Sequence, residues 1–424
     1  MLLRTIIRSS SATWLLPLLA LFVVTALGDD LTTWVTPLYW LSATGTATFA
    51  QPFIAAACAA AGAWEGARLH RGRVFDQGPV RSPLAITFPA LAPVVVMGLL
   101  ALLVAFATAA AAADLGFGIP DLGILAVSTA ILIANTLAGA VLGRILPGVL
   151  AAPLALIVAF IANAYPASWN IRWIRHLVAS SLDNCCAVDQ VVDPRALWSG
   201  AVFALATSCA ALVVIHFRGA MPAVAAALVL AVSGAGIAGY LARDVDYDPV
   251  VARPTSELDC DSGTPKVCLW PELKPRADMI ATGARAATDR LAKAGLTIAP
   301  TLTMAAEPGP GESKLGIPTR PTPSDLAAGV VSGYLPQPPT CALNGDVYPA
   351  GAAQGPVAAW LYATATGETR VIEGRFDPRD VAFVTEKILS QPKNVQLDWY
   401  QRNTAAMANC TDKPPIALIA GNSQ

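Results

Sequence analysis

Long apolar runs alternate with short polar loops through the first 242 positions of the chain, and this alternation stops at Arg243. An α-helix crosses a hydrocarbon core about 30 Å thick with roughly 20 apolar residues. The pattern therefore predicts about seven membrane spans, near residues 12–27, 38–63, 84–112, 122–143, 149–165, 200–217 and 221–242. Residues 25–28 also fit a signal-peptidase site, because Ala26 and Gly28 are small.

From residue 243 onward the chain has the composition of a water-soluble domain, and every lysine of the protein lies there. Over the whole chain, 55% of the residues are hydrophobic and only 13% are charged, about half the roughly 25% of ordinary soluble domains. The fold class that we predict is a polytopic α-helical membrane protein. Its membrane domain covers residues 1–242, and a C-terminal extracytoplasmic α+β domain covers residues 243–424.

The placement of arginine predicts the orientation, because positively charged loops resist translocation. On a count of seven spans, eight arginines share one side: Arg4, Arg8, Arg68, Arg71, Arg73, Arg81, Arg144 and Arg218. Most aspartates of the first 242 residues fall on the other side. We therefore expect a multi-pass protein of the cell membrane with a cytoplasmic N-terminus. One miscounted span would reverse the side of the C-terminal domain.

Six of the eight cysteines map to the side predicted to be extracytoplasmic, where disulfides persist. Cys260 and Cys268 are close enough in sequence to close a short loop, which leaves Cys341 to pair with Cys410, although four cysteines allow three pairings. A zinc site is the alternative, but these four cysteines lack Cys-x2-Cys spacing and no histidine accompanies them after Arg243. The adjacent Cys185 and Cys186 stay open: they either reach partners elsewhere or are free, since neighbouring cysteines rarely bridge each other.

Polar residues inside the predicted spans are few, and they are led by Gln51, Asn135 and Asn163. Coupled carriers generally need buried ionisable groups, so an ion- or proton-coupled carrier is disfavoured. Hydrogen bonding between helices is the favoured role for these amides, ahead of contact with a substrate. Gly139 and Gly143 form a Gly-x-x-x-Gly pair that suits close helix packing, either within the bundle or across a dimer.

Two segments between spans carry more specific patterns. On the cytoplasmic side, a charged helical extension of the second span contains Trp64, Glu65, Arg68, Arg71 and Arg73. On the outer side, residues 169–182 place three apolar side chains at intervals of four, namely Trp169, Trp173 and Leu177. That spacing predicts a short helix in the outer interface with tryptophan at the level of the lipid headgroups. An ordinary amphipathic loop helix is the alternative for each segment.

These segments resemble the membrane subunit of an ABC exporter with six spans. In that class a helix precedes the first span, a coupling helix between spans two and three contacts the ATPase, and re-entrant helices between spans five and six form an outer gate. Residues 1–10, 64–73 and 169–182 lie in the corresponding places. The stretch Ala-Trp-Glu-x-x-Arg-Leu-x-Arg at 63–71 and the Val-Cys-Leu-Trp-Pro-Glu segment at 267–272 also resemble permease-like proteins of high-GC Gram-positive bacteria.

The resemblance implies a separate cytoplasmic ABC ATPase as the main partner, besides the lipid bilayer and a homo- or heterodimeric second subunit. The chain itself contains no Walker A loop, since residues 309–314 have the wrong spacing. A seventh span and a large outer domain depart from the simple exporter pattern. Nucleic acid is not an expected partner, because basic patches with interleaved aromatic residues are absent from the sequence.

The C-terminal domain contains no histidine, which excludes a Ser-His-Asp or Cys-His arrangement and a His-liganded zinc within it. Asp244, Asp246 and Asp248 imitate the start of a calcium loop, but Pro249 occupies the position that requires glycine. An acidic, solvated stretch is the favoured interpretation of these residues. For residues 270–272 the favoured interpretation is a packed turn around a buried Trp270. We expect no catalytic residue, cofactor or metal, and hence no enzyme.

Helices are predicted in this domain at residues 276–294, 377–388 and 394–409, and apolar strands at 297–304, 357–366 and 416–419. Residues 307–323 are rich in Pro and Gly and are predicted as a linker or long mobile loop. The favoured function is a permease-like subunit of an ABC-type transporter. The alternative is a non-transporting surface or sensory protein whose outer domain binds a ligand or a protein, and a membrane-bound hydrolase ranks third.

Overall fold

The computed structural model describes residues 10–28, 34–75, 81–116, 118–178, 182–183, 185–370 and 373–416. It divides the chain into two compact units, Met1–Val251 and Ala252–Gln424. The division falls shortly after Arg243, where the composition changes. We call these the N-terminal unit and the C-terminal unit and describe each by itself.

Apolar helices build the N-terminal unit. Their bounds are Ala12–Gly28 (α1), Trp40–Ala47 (α2), Gln51–Arg71 (α3), Pro83–Ala112 (α4), Leu122–Ile145 (α5), Gly148–Ala164 (α6), Arg172–Arg175 (α7), Pro194–His216 (α8) and Met221–Ala242 (α9). A 3₁₀ turn at Thr48–Ala50 joins α2 to α3 into one apolar segment, Trp40–Arg71, and another at Tyr165–Ser168 extends α6. A two-stranded sheet pairs Gln190–Val192 (β1) with Val250–Ala252 (β2).

Six helical segments in the described part of the chain are long and apolar enough to cross a membrane. The shortest of them, Gly148–Ser168, has 21 residues and therefore rises about 32 Å, which matches the roughly 30 Å of a hydrocarbon core. These six segments indicate that the protein is embedded in a membrane. The first predicted span is a helix too, but α1 has only 17 residues with Pro17 inside it, and it rises about 26 Å.

The centre of the N-terminal unit is a crossing of α3 and α5 in which the two backbones touch. A Cβ atom added at Gly62 or Gly66 would lie 2.3 Å from the carbonyl oxygen of Thr136 or Ala140. On the facing helix, a Cβ at Gly143 would lie 1.9 Å from the carbonyl oxygen of Ala63. The Gly-x-x-x-Gly pair of the sequence is therefore used inside the bundle, where small residues let helices approach closely.

The last apolar helix packs against its predecessor in a similar way. A Cβ added at Gly234 would lie 2.1 Å from the Cβ atom of Ala206. One turn further along α9, the carbonyl oxygen of Ala238 accepts a hydrogen bond of 2.9 Å from the Ser199 hydroxyl. Small residues on α9 thus serve packing onto α8, and the rest of α9 is largely exposed at the surface of the unit.

The C-terminal unit combines a small sheet with helices, as an α+β domain does. Its strands are Asp259–Cys260 (β3), Lys266–Leu269 (β4), Thr301–Thr303 (β5) and Glu312–Lys314 (β6), in the order β3-β4-β5-β6. The first pair is antiparallel and the other two pairs are parallel. The helices are Ala277–Lys293 (α10), Pro323–Val331 (α11), Thr340–Asn344 (α12), Gln354–Thr366 (α13), Pro378–Phe383 (α14) and Lys393–Met407 (α15).

The predicted strand at residues 357–366 is wrong, because these residues belong to helix α13. Most side chains of α13 are buried, including Val357, Trp360 and Leu361. A segment that is buried on all sides has no polar face, so its hydrophobic pattern cannot distinguish a helix from a strand. Gly367 ends the helix with a φ of +75°, a conformation that favours glycine.

Of the other elements predicted in the C-terminal unit, most are confirmed and one is partly wrong. The three predicted helices are confirmed as α10, as α14 with a π-helical continuation at Val384–Ile388, and as α15. Strand β5 lies within the predicted strand at 297–304. The predicted loop at 307–323 is partly wrong, since it contains β6, which pairs with β5. Most of the predicted strand at 416–419 lies outside the described residues.

Candidate functional site

An exposed basic face lies at the end of α3, where the sequence predicts a coupling segment. Helix α3 continues without a break to Arg71, so the charged stretch is an extension of the apolar helix. Trp64, Arg68 and Arg71 are all exposed, and their spacing of four and three residues places them on one side of a helix. The guanidinium carbon of Arg71 lies 5.7 Å from the ring centroid of Trp64.

Glu65 follows Trp64 in the same helix but is fully buried. Its Oε1 atom accepts hydrogen bonds from the Ser11 backbone N–H at 3.1 Å and from the Ser11 hydroxyl at 3.3 Å. Its Oε2 atom lies 2.8 Å from Nη2 of Arg68. Ser11 directly precedes α1, so the carboxylate sits at the positive end of that helix. Of the predicted coupling residues, Glu65 therefore holds helices together, while Arg73 lies exposed in the turn after α3.

Arg144, at the end of α5, ties three helices together. It donates to the carbonyl oxygen of Ile215 in α8 at 3.1 Å and to the hydroxyl of Thr87 in α4 at 2.8 Å. Its guanidinium carbon also lies 4.5 Å from the ring centroid of Phe75. In the sequence, Arg144 supports only the predicted orientation. A single arginine at the end of an apolar helix is a signal for such a bridge, but the partners depend on the tertiary structure.

The predicted interfacial helix at residues 169–182 is wrong in its length. Helix α7 is a single turn, and residues 176–178 after it form a turn and a bend. Trp169 and Trp173 are exposed, but Leu177 is buried, so the three residues do not form one surface stripe. The turn is interrupted because its polar side chains find partners elsewhere in the unit.

Two of these polar side chains explain the interruption. Arg175 donates to the carbonyl oxygen of Ala167 and lies 3.4 Å from the ring centroid of Tyr247. The Nε2 atom of His176 lies 2.9 Å from the carbonyl oxygen of Asp246. Burial lowers the pKa of His176, and the neighbouring Arg175 charge adds to this effect. These contacts fix the segment against the acidic stretch that follows α9.

A cleft of about 350 Å³ lies between α6 and α8. The floor of the cleft is formed by α5 and by Ala59 of α3, and Leu177 and Val178 close one end. About half of the lining residues are alanine or glycine, so the space exists because side chains on several helices are small. Val158, on the rim, is 55% exposed. The cleft therefore opens on the outer surface of the bundle.

Two carboxamides form the most polar part of the cleft. Asn163 of α6 is only 3% exposed and donates to the side-chain oxygen of Asn135 in α5 at 3.3 Å and to the Ala159 carbonyl oxygen at 2.7 Å. Asn135 donates to the carbonyl oxygen of Ile131 at 2.9 Å. Gln51 likewise joins α3 to α5, by donating to the Ser128 carbonyl oxygen at 3.1 Å. The predicted hydrogen bonding between helices is confirmed, and two of the three amides also face a cleft.

Three pairs of cysteines are joined by disulfides. Cys260 and Cys268 face each other on β3 and β4, and Cys341 on α12 reaches Cys410, with S–S distances of 2.06 Å in both pairs. These are the two pairings that the sequence favours. Cys185 and Cys186 are bonded to each other, so both predicted alternatives, partners elsewhere and free thiols, are wrong.

The C-terminal unit also has a polar pocket of about 390 Å³ beside strand β6. Glu312, Ser313, Tyr334 and Tyr400 line it together with hydroxyl groups of threonine. Burial raises the pKa of Tyr400 to about 12, with a further contribution from Tyr334. Tyr400 donates a hydrogen bond of 2.8 Å to the backbone oxygen of Tyr334. The sequence does not predict this pocket, because the residues that line it come from four separate segments.

The structure describes the turn at Trp270 and the acidic stretch that begins at Asp244. Trp270 is fully buried and its Nε1 donates to the Met304 carbonyl oxygen at 3.1 Å, so the prediction of a packed turn is confirmed. Asp244, the first aspartate of the stretch that imitates a calcium loop, forms an ion pair with Arg243 at 2.9 Å. In the part of the chain that the structure describes, no group of three or more His, Cys, Asp or Glu side chains could hold a metal ion.

Comparison with known proteins gives one match. A family model described as a domain of unknown function (DUF7224) matches residues 267–410. The match lies within the C-terminal unit and includes the residues that line the polar pocket. No curated protein and no solved structure matches the chain.

Proposed function

We propose that this protein is the membrane subunit of an ABC-type transporter and that it works with a separate cytoplasmic ATPase. The observation that carries the proposal is the exposed face of Trp64, Arg68 and Arg71, which lies at the end of a helix long and apolar enough to cross a membrane. Helix ends of this kind present a rigid, charged surface to a soluble partner. Because Glu65 and Arg144 fix the surrounding helix ends, a force applied at this face would reach the bundle.

The proposal includes a topology. Seven spans, with α1 as the first, place the N-terminus and the basic face in the cytoplasm and the C-terminal unit outside the cell. The arginines at the ends of α3 and α5 support this orientation, and so do the disulfides of the C-terminal unit. Trp169 and Trp173, both exposed, would then lie at the outer headgroup level.

Co-purification from native membranes tests the proposal. We expect a Walker-type ATPase in stoichiometric amount with the tagged full chain, and a loss of at least about tenfold in its recovery for the Arg71→Glu, Arg73→Glu double variant, since reversed charges repel the partner surface; Arg68 is left unchanged because it pairs with the buried Glu65. The Arg379→Glu variant is the control, because Arg379 is exposed in the C-terminal unit. The transporter proposal fails if no ATPase is recovered and the double variant retains the function of the wild type.

The polar pocket favours a second candidate function. A non-transporting surface or sensory protein would bind its ligand or protein partner in the C-terminal unit, and the pocket beside β6 offers hydroxyl groups, a carboxylate and aromatic rings for this purpose. Such a protein would not need the basic face of α3. Full ligand binding by the Arg71→Glu, Arg73→Glu variant, in the absence of any ATPase, would favour this function.

A further inference from the structure

The cleft between α6 and α8 has a chemistry that limits what it can hold. Among the described residues that line it, none is charged and none is histidine. An ion in such a site would lose its hydration without an opposite charge in return, at a large cost in free energy. The lining of the cleft therefore suits an uncharged group.

The apolar part of the lining suits a hydrocarbon chain. Ile131, Leu142 and Phe203 supply the larger side chains, and alanines leave the space between them. A volume of about 350 Å³ is at the lower end of the roughly 300–1,000 Å³ of small-molecule sites, which are mostly apolar with a few polar groups. Because the cleft opens past the exposed Val158, a molecule dissolved in the bilayer can enter from the side.

The two carboxamides distinguish the cleft from a plain gap filled with lipid tails. The NH2 group of Asn135 has two donors, and one of them bonds the Ile131 carbonyl oxygen. The other donor of Asn135 offers a hydrogen bond at membrane depth, where water does not compete. A purely apolar occupant would leave this capacity unused, whereas an amide or hydroxyl group would use it.

We infer that the cleft binds an uncharged amphipathic molecule, with its alkyl or isoprenoid chain between α6 and α8 and an amide or hydroxyl group at Asn135 and Asn163. The inference rests on the proposed function where it names this molecule as the substrate class. Binding itself needs no ATPase, so the two proposals can fail separately.

Photolabelling of the full chain in phosphatidylcholine vesicles tests the inference. The probes are a diazirine-bearing alkyl amide and a diazirine-bearing alkane of the same length, and mass spectrometry locates the labelled residues. We expect the amide to label the cleft about fivefold more than the alkane, the ratio for one hydrogen bond of ordinary strength. An excess of the same amide without diazirine should abolish this difference in the wild-type chain.

Variants separate the cleft from the general lipid-facing surface. Ala159→Phe fills the space and should reduce labelling of the cleft at least about fivefold. Ile161→Phe is the matched control on the same helix, because Ile161 is exposed and does not line the cleft, and it should label as the wild type does. The Asn135→Leu, Asn163→Leu variant should label equally with both probes.

Three outcomes would overturn the inference. Equal labelling by the amide and the alkane in the wild type would mean that bulk lipid fills the cleft. Unchanged labelling in Ala159→Phe would place the probe elsewhere. Cross-linking of cleft residues to a second copy of the chain, in place of the probe, would make the cleft a subunit interface. Should the double asparagine variant fail to fold, competition by the unlabelled amide in the wild type decides alone.

Discussion

Glu65 is a carboxylate in an alanine-rich apolar helix, and its environment explains how it is tolerated. The Ser11 backbone and hydroxyl donate to it, and Arg68 supplies the opposite charge. A buried charge without such partners would cost several kcal/mol. At the residue scale, the coupling segment thus has two sides: Glu65 joins α1 to α3 with the help of Arg68, and the exposed Trp64 and Arg71 remain for a partner.

Asp325 is the residue of the C-terminal unit whose contribution to stability should depend most clearly on pH. It accepts hydrogen bonds from the Thr322 backbone N–H at 2.9 Å and hydroxyl at 2.6 Å, and it pairs with Arg375 at 2.9 Å. The bonds from Thr322, and next Arg375, lower the pKa of Asp325, although burial opposes them. The folded state therefore binds this proton less readily than the unfolded state, so stability is lost as the pH falls below about 4.

The Asp325→Asn variant tests this account. We expect a loss of about 1 kcal/mol in the free energy of unfolding at about pH 7, typical for a helix-capping interaction, and a smaller further loss than in the wild type on acidification to about pH 3. Pulse proteolysis of the C-terminal unit in the full chain in detergent measures both values. Asp346→Asn is the control at an exposed position. An equal further loss in wild type and Asp325→Asn would refute the linkage.

At the scale of elements, the crossing of α3 and α5 is the contact that tolerates change least. Gly143→Ala would place a Cβ atom 1.9 Å from the Ala63 carbonyl oxygen, so the helices must separate at a cost of about 1–3 kcal/mol. Gly236→Ala in α9 is the matched control, since nothing lies within 4 Å of its Cβ position. We expect a lower thermal midpoint in detergent for Gly143→Ala alone. Equal midpoints for both variants would show that the helices are not in close contact.

The sequence predicts elements well where one physical requirement dominates. Six of the predicted spans appear as long helices because crossing a hydrocarbon core demands a fixed length of apolar residues. Helix α10 is also predicted, since its apolar face repeats with the helical period. The prediction fails where tertiary partners decide: α13 is buried on all sides, and the segment around α7 bends where Arg175 and His176 contact Tyr247 and Asp246.

The candidate sites show the same limit. Asn135, Asn163 and the basic residues of α3 stand out in the sequence because polar groups are rare in apolar helices. The cleft itself does not, since a space bounded by alanines on separate helices leaves no local pattern. The polar pocket beside β6 is hidden for a similar reason, because Ser313 and Tyr400 are distant in sequence.

At the scale of the whole molecule, the topology decides what each unit can meet. After mild reduction, a membrane-impermeant thiol reagent should label Cys260 in intact cells, because Cys260 is exposed and the proposed topology places it outside. An Arg73→Cys variant is the matched control: its exposed turn should react only in broken cells. Labelling of Cys260 only in broken cells would reverse the orientation of the protein.

The glycine crossing of α3 and α5 has a mechanical consequence. Two backbones in direct contact have no flexible side chains between them, so the two helices must move together as a rigid body. Ala59 and Gly139 meet in this contact and also floor the cleft, and Trp64 lies five residues further along α3, about 7.5 Å away. A force applied at the exposed Trp64 would therefore be transmitted through the helix crossing and would tilt the floor of the cleft.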